Sequence, residues 1–346
     1  MIARVVMSTV LDHPLDDPAA WNAVDLAASP QRWTHVLNVA QCDEIQAAVA
    51  HARDSGKPLL ELRATDFPAP TLAPLMHALR AELEGGRGFA LLKGLPVQSL
   101  GEQGMRCALW GLGTHLGFPE PQDAAGNLLH DVRDTGKAFT DEASLRKYQT
   151  NESIDFHNDG ADAFMLAMVR GAVSGGESLL VSAVAVFNEI VRTRPDLARV
   201  LQQDFVADTR GQRRDGAKVQ VMPVYNFHDG LLTANLKKDY IHAAQRFADV
   251  PRLTDAQQEA LLVLDRMCAD PRFCMEFSLE PGDVEIGNNY VTFHARRAYR
   301  DDSADGAGRH LLRLWLTLPN GRALPRCFEG SREFGATYAR RMDSRA

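Results

Sequence analysis

Arg309-His310-Leu311-Leu312-Arg313-Leu314-Trp315-Leu316-Thr317-Leu318 has the alternation of a strand with two unlike faces. In an extended chain successive side chains point to opposite sides, so Leu312, Leu314, Leu316 and Leu318 share one face and Arg309 and Arg313 project from the other. The leucine face must lie against something apolar. At strand rise the two arginines stand about 13 Å apart. Charge on the inner face of a central strand carries a considerable desolvation cost unless anions meet it. Two readings follow: a sheet with one wet face, or a barrel whose inward arginines bind carboxylates, for which the planar guanidinium fork is suited.

Working back from that strand, Glu280-Pro281-Gly282-Asp283 is a turn that leads into candidate strands at 284–286 and 291–294. Residues 156–169 and 178–182 read as strands joined through Ser174-Gly175-Gly176, and 219–225 as a strand followed by a turn at Asp229-Gly230. Helical spacing marks 182–191, 195–203 and 254–269. Ahead of these, 40–53 and 70–83 look helical, 89–92 is a short buried strand after Gly85-Gly86-Arg87-Gly88, and 101–117 is a helix. Residues 118–153 are rich in Pro, Asp, Gly and Asn and read as a long, partly ordered lid. No repeat or linker divides the chain. The expected organisation is one domain: residues 1–84 a helical N-terminal extension, 85–325 the core with lid segments near 118–153 and 209–240, and 326–346 a C-terminal tail. The expected class is mainly β with helical additions (α+β).

Composition narrows the function. The 346 residues are 45% hydrophobic and 24% charged, which excludes a disordered or collagenous chain. A net charge of −7 without a basic block argues against nucleic acid as a partner and leaves small molecules. Five scattered cysteines with no CxxC pair suggest reduced thiols, Cys268 and Cys274 among them as packing groups. With no secretory leader pattern at the N-terminus and no apolar run of membrane-spanning length, the expected setting is the cytoplasm, without a membrane partner. The helical prefix and barrel edges offer surfaces for a homo-oligomer.

His157-Asn158-Asp159 opens a predicted strand, where residues i and i+2 share a face and an imidazole can meet a carboxylate on one ion. Two histidines and one carboxylate on one side of an octahedron leave open positions on Fe(II) for oxygen chemistry. About one His-x-acid triplet is expected from composition alone, so a strand-end histidine beside a solvated acid competes with the metal reading. His294 is the third candidate; His130 and His228, in loop-like sequence, are its rivals.

Phe156-His157-Asn158-Asp159-Gly160, Ser174-Gly175-Gly176-Glu177-Ser178, Glu280-Pro281-Gly282-Asp283, Asn288-Asn289 with His294-Ala295-Arg296, and the Arg309 strand follow one another at intervals that resemble the taurine catabolism dioxygenase (TauD/TfdA) family of Fe(II)/2-oxoglutarate-dependent oxygenases. The resemblance covers roughly residues 85–325. It implies a double-stranded β-helix, or jelly-roll, core and an iron site made of His157, Asp159 and His294. It also implies that Arg309 pairs with the distal carboxylate of 2-oxoglutarate and that Ser178 assists it, and it puts Arg313 where some members hold an anionic group of the substrate, with the cosubstrate site or packing as alternatives. Arg296, common in the family without a fixed role, is expected to support the metal site from behind.

Such an enzyme converts 2-oxoglutarate and O2 to succinate and CO2 while oxidising an unactivated C–H bond of a small, carboxylate- or amino-acid-like molecule. Hydroxylation is the simplest outcome, with desaturation or cyclisation of a natural-product intermediate as the alternative. The retained carboxylate of Asp159 disfavours halogenation, because halogenating relatives carry a small residue there. A non-catalytic jelly-roll sensor would usually lose ligands, and a metal hydrolase or lyase would not need Arg309 and Ser178. Substrate contacts are expected from 118–153, from the charged loop of Arg210, Arg213, Arg214 and Lys218, and from 226–240. Leu231-Leu232-Thr233-Ala234-Asn235-Leu236-Lys237 lacks the arginine and tyrosine often found there in close family sequences.

Overall fold

The structure, a computed structural model, describes residues 10–136, 147–213, 215–301 and 308–344. Arg214 and residues 137–146 of the expected lid lie outside the described residues. Two sheets face each other. The larger one orders Thr34–Val36, Phe89–Lys93, Val284–Asn288, Ala163–Arg170, His310–Thr317 and Phe118–Pro119, with Leu129–Val132 also paired to His310–Thr317. Its first pair is parallel; the others are antiparallel. The smaller sheet orders Cys274–Phe277, Ser178–Ser182, Thr292–Arg296 and Ile154–His157.

The alternation of the last strand decides which face each sheet buries. Leu312, Leu314 and Leu316 join Ala163, Met165, Ala167, Val284 and Ile286 against helices Val39–Asp54, Ala73–Gly85 and Val97–Leu116. Each leucine removed from water there contributes about 2 kcal/mol. Contact is close: a Cβ on Gly113 would stand 2.3 Å from the Leu314 side chain. The opposite face turns Arg309, Arg313 and Trp315 into the space between the sheets, so this is a covered sheet and not one with a wet side. The outer face of the smaller sheet packs on helices Ala183–Thr193, Pro195–Leu201 and Asp255–Ala269.

Three expectations are corrected. The strand predicted at 156–169 is two, Ile154–His157 and Ala163–Arg170, in different sheets. Between them the side chain of Asn158 is taken by the Asn289 and Thr292 carbonyls and the Leu236 N–H, and Ala161 adopts φ 58°, so the extended chain cannot continue. Strand Val219–Tyr225 is likewise two, Val219–Pro223 and Tyr225–His228; the latter pairs with Leu231–Ala234 around Asp229-Gly230, both at positive φ as a tight hairpin requires.

The region read as a tail carries helix Gly335–Asp343 and buries Phe328, Phe334 and Arg341. Arg341 meets the buried carboxylate of Asp162, which also accepts from the Tyr290 hydroxyl and the Leu318 N–H. Removing one partner of such a pair strands the other charge. Arg341→Ala is therefore expected to lower unfolding free energy by about 3–5 kcal/mol, measurable by urea denaturation.

Candidate active site

His157 closes strand Ile154–His157, and His294 sits mid-strand in Thr292–Arg296, directly opposite it in the pairing register. Their ring centroids are 4.3 Å apart. Asp159 follows in the loop, with Oδ1 3.7 Å from His157 Nε2 and Oδ2 3.9 Å from His294 Nε2. One donor atom from each of the three lies within 4.8 Å of the others. The i, i+2 strand geometry expected for His157 and Asp159 is thus replaced by strand end plus loop.

That loop is held by side chains distant in sequence. Asn289 Oδ1 accepts from the Asp159 N–H at 3.1 Å and its Nδ2 donates to the Gly160 carbonyl at 2.7 Å. Gly160 leaves room for the Trp315 ring, since a Cβ there would stand 2.4 Å from it. Trp315 Nε1 donates to Asp159 Oδ2 at 3.0 Å, and Arg313 Nη1 reaches both carboxylate oxygens at 3.1 and 3.2 Å. Gly160→Ala must displace Trp315 and with it the carboxylate. Fe(II) affinity is expected to fall about 10- to 100-fold, the range for losing an outer partner of a metal ligand, as read by anaerobic metal titration.

Burial pushes the Asp159 carboxyl up, but the Arg313 guanidinium beside it is the chief opposing charge and the group is held well below the usual carboxylate range. Burial lowers His157 and lowers His294 well below the usual imidazole range, so both imidazoles favour the neutral form. His157 Nδ1 lies 2.8 Å from the Asp155 carbonyl, which fixes Nδ1 as donor and leaves the Nε2 lone pair facing the triad. A neutral imidazole pair plus an ionised carboxylate is the donor set that a divalent ion of borderline softness requires.

Deeper on the same inner face, Arg309 Nη2 donates to the Gly176 carbonyl at 3.1 Å and the guanidinium lies 5.1 Å from the Tyr299 ring centre. Its Nη1 is buried without a partner among the described residues. Gly176, at φ 81°, gives it space: a Cβ there would stand 2.8 Å from Arg309 Nε. Ser178 Oγ donates to Glu285 Oε2 at 2.7 Å. Arg296 reaches the carbonyls of Thr150 and Glu152 and also stacks against Tyr299, so it ties down the segment ahead of His157. Arg313, expected to face substrate, is engaged by Asp159 and by Gln122 Oε1 at 2.7 Å.

Among the lining residues, Gln122 and Lys237 fell only within the stretches 118–153 and 226–240 expected to meet substrate, and Glu285 and Arg332 were not singled out from the sequence. Glu285 had a signal, an acid inside the apolar run Val284-Glu285-Ile286. Trp315 also had one, sharing a strand face with Arg309 and Arg313. Lys237 had none, because its burial comes from the distant Asn158 carbonyl to which it donates. His130, a rival ligand, is instead engaged by Asp123 and Tyr148. A second acid-histidine cluster among the described residues, Glu102, Asp131 and His310, is occupied by Arg106, which pairs with both acids.

Comparison with known proteins places this geometry. The profile of the family "Taurine catabolism dioxygenase TauD, TfdA family" matches residues 55–315, reaching further upstream than the motifs alone. FR-33289 synthase of Streptomyces rubellomurinus is 29% identical over 328 residues, covering 92% of this chain and 95% of that protein. Taurine hydroxylase-like protein SAT17 of Stachybotrys chartarum is 24% identical over 309 residues, covering 87% and 79%. Asparagine oxygenase, solved with Fe(II), 2S,3S-3-hydroxyasparagine and succinate, superposes with a TM-score of 0.65 at 18% identity, covering 83% of this chain and 94% of its own. The non-heme iron oxygenase OrfP, solved with Fe and alpha-ketoglutaric acid, gives 0.63 at 16% identity, covering 82% and 93%. Those neighbours share the jelly-roll core seen here as two facing sheets. With most of its length inside the family match, the chain belongs to the taurine catabolism dioxygenase TauD, TfdA family and is a non-haem iron dioxygenase that uses Fe(II), 2-oxoglutarate and O2.

Proposed function

We propose that His157, Asp159 and His294 hold Fe(II), that Arg309 receives the distal carboxylate of 2-oxoglutarate, and that the enzyme hydroxylates an unactivated C–H bond of a small anionic molecule. The observation that carries this reading is the convergence of three donor atoms within 4.8 Å above an inward guanidinium whose Nη1 has no partner among the described residues. Bound Fe(II), with 2-oxoglutarate and O2, supplies the oxidant for the C–H bond and leaves succinate and CO2 as coproducts.

The chain's own residues set the conditions for that chemistry. Arg313 and Trp315 orient Asp159 and keep it ionised, which makes Arg313 a positioning residue rather than a substrate ligand. Sheet packing on both sides excludes water from Arg309, so its pairing with a carboxylate is stronger than at a surface. Arg210, Lys237 and Arg332 line the same pocket around Tyr240 and favour an anionic substrate group. An amino-acid-like substrate agrees with asparagine oxygenase and with OrfP, solved with (3S)-hydroxy-L-Arg, and a natural-product intermediate with FR-33289 synthase. Five free cysteines suit a reducing cytoplasm; among the described residues no helix is long and apolar enough to cross a membrane.

The test is succinate release by Fe(II)-loaded protein over a panel of amino acids, small carboxylates, sulfonates and natural-product intermediates. Anionic compounds should stimulate release above the substrate-free rate and gain one oxygen atom. Absence of 2-oxoglutarate binding to the anaerobic Fe(II) protein would remove the reading.

A further inference from the structure

The distal end of the cosubstrate site contains an acid that a dianionic cosubstrate should repel. Glu285, on strand Val284–Asn288, is buried and lines the pocket with Ser178 and Arg309. Leu91 of Phe89–Lys93 and Leu166 of Ala163–Arg170 flank it in register and bring no charge. Ser178 of the facing sheet gives its hydroxyl proton to Glu285 Oε2. Arg309 is the nearby cation, backed by Tyr299 and Arg296, and Asp159 adds a second negative charge from the loop. Oε1 of Glu285 and Nη1 of Arg309 are both buried without partners among the described residues.

A carboxylate arriving at Arg309 would add a negative charge beside Glu285, which already lies in the field of that guanidinium. Two carboxylates sharing a dry site repel each other, which favours protonation of one of them. Ser178 cannot relieve the conflict while its proton is committed to Glu285. A protonated Glu285 resolves it, because its free oxygen then becomes a donor and an O–H···O⁻ bond to an ionised acceptor is among the stronger hydrogen bonds.

We propose that Glu285 takes up a proton from solvent when 2-oxoglutarate binds and donates a hydrogen bond to the distal carboxylate beside Arg309. This rests on the assignment of Arg309 to that carboxylate. Burial already raises the Glu285 carboxyl to about 7, so the proton is accessible at neutral pH. The sign follows from linkage. A group that is more protonated in the complex than in the free site makes binding independent of pH below its free value. Above it, binding weakens about tenfold per pH unit. A 2-oxo acid lacking the distal carboxylate would take up no proton, which makes Glu285 a determinant of cosubstrate choice.

The experiment is anaerobic calorimetry of 2-oxoglutarate binding to Fe(II)-loaded protein between pH 6 and 9, repeated in two buffers of different ionisation enthalpy. Uptake of about one proton per cosubstrate at pH 8 is expected, with Kd level below about pH 7 and rising above it. Glu285→Gln, isosteric and able to donate through its amide, should bind with a flat Kd across that range and without the uptake. The wild-type proton count needs no variant. A wild-type Kd that is flat from pH 7 to 9, or proton uptake that persists in Glu285→Gln, overturns the proposal while leaving the Arg309 assignment standing. No binding at any pH would overturn both.

Discussion

Arg309→Leu is expected to raise the Kd for 2-oxoglutarate by about two to three orders of magnitude while Fe(II) affinity stays at the wild-type value. The size follows from the site's burial: removing one partner of a buried charge pair costs about 3–5 kcal/mol, and each 1.4 kcal/mol is about tenfold in affinity. The selectivity follows from geometry. Arg309 donates to Gly176 and stacks on Tyr299, with no hydrogen bond to His157, Asp159 or His294, so its loss leaves the donor triad in place. Anaerobic titrations of metal and of cosubstrate, run separately, read the two affinities. A variant that loses both equally would show that Arg309 shapes the whole barrel rather than one subsite.

Asp159→Ala is expected to weaken Fe(II) binding by more than about 100-fold, exceeding the 10- to 100-fold typical of an outer partner, and to abolish coupled turnover. It should also cost stability, because Arg313 Nη1 and Trp315 Nε1 both lose the acceptor they share and Arg313 is left with Gln122 as its hydrogen-bond partner among the described residues. A buried cation stranded in this way costs about 3–5 kcal/mol. Asp159→Asn separates the two effects. Its amide oxygen still accepts from Arg313, so its melting temperature should lie closer to wild type, yet the negative charge that the metal needs is gone. Wild-type Fe(II) affinity in Asp159→Asn would remove the carboxylate from the metal site.

How much of this was legible in the sequence depends on where each residue's partners lie. The last strand was readable because its two faces differ chemically along eight consecutive residues of one element, His310–Thr317. Its leucines needed an apolar cover, and the helices Val39–Asp54, Ala73–Gly85 and Val97–Leu116 supply it. Helix Asp255–Ala269 was readable from its amphipathic spacing, and Thr254 with Gln257 caps its start. The break after His157 was not readable, because it depends on Asn158 being captured by Asn289 and Thr292. Strand Thr34–Val36, with three residues, carries too little alternation to stand out. Arg341 lies in the segment read as a tail, because its partner Asp162 is brought to it only by the fold. In the site, residue types were visible and pairings were not: Arg313 was read as meeting a substrate anion inside the barrel, whereas the loop places Asp159 against it.

The iron position is the most direct measure of the central assignment. Crystals of the anaerobic Fe(II) and 2-oxoglutarate complex, with iron located by anomalous scattering, should place one ion about 2.0–2.2 Å from His157 Nε2, His294 Nε2 and one Asp159 oxygen. The distal carboxylate of the cosubstrate should lie on Arg309 Nη1. Iron at Glu102, Asp131 and His310 instead, or a cosubstrate carboxylate bound away from Arg309, would contradict the assignment.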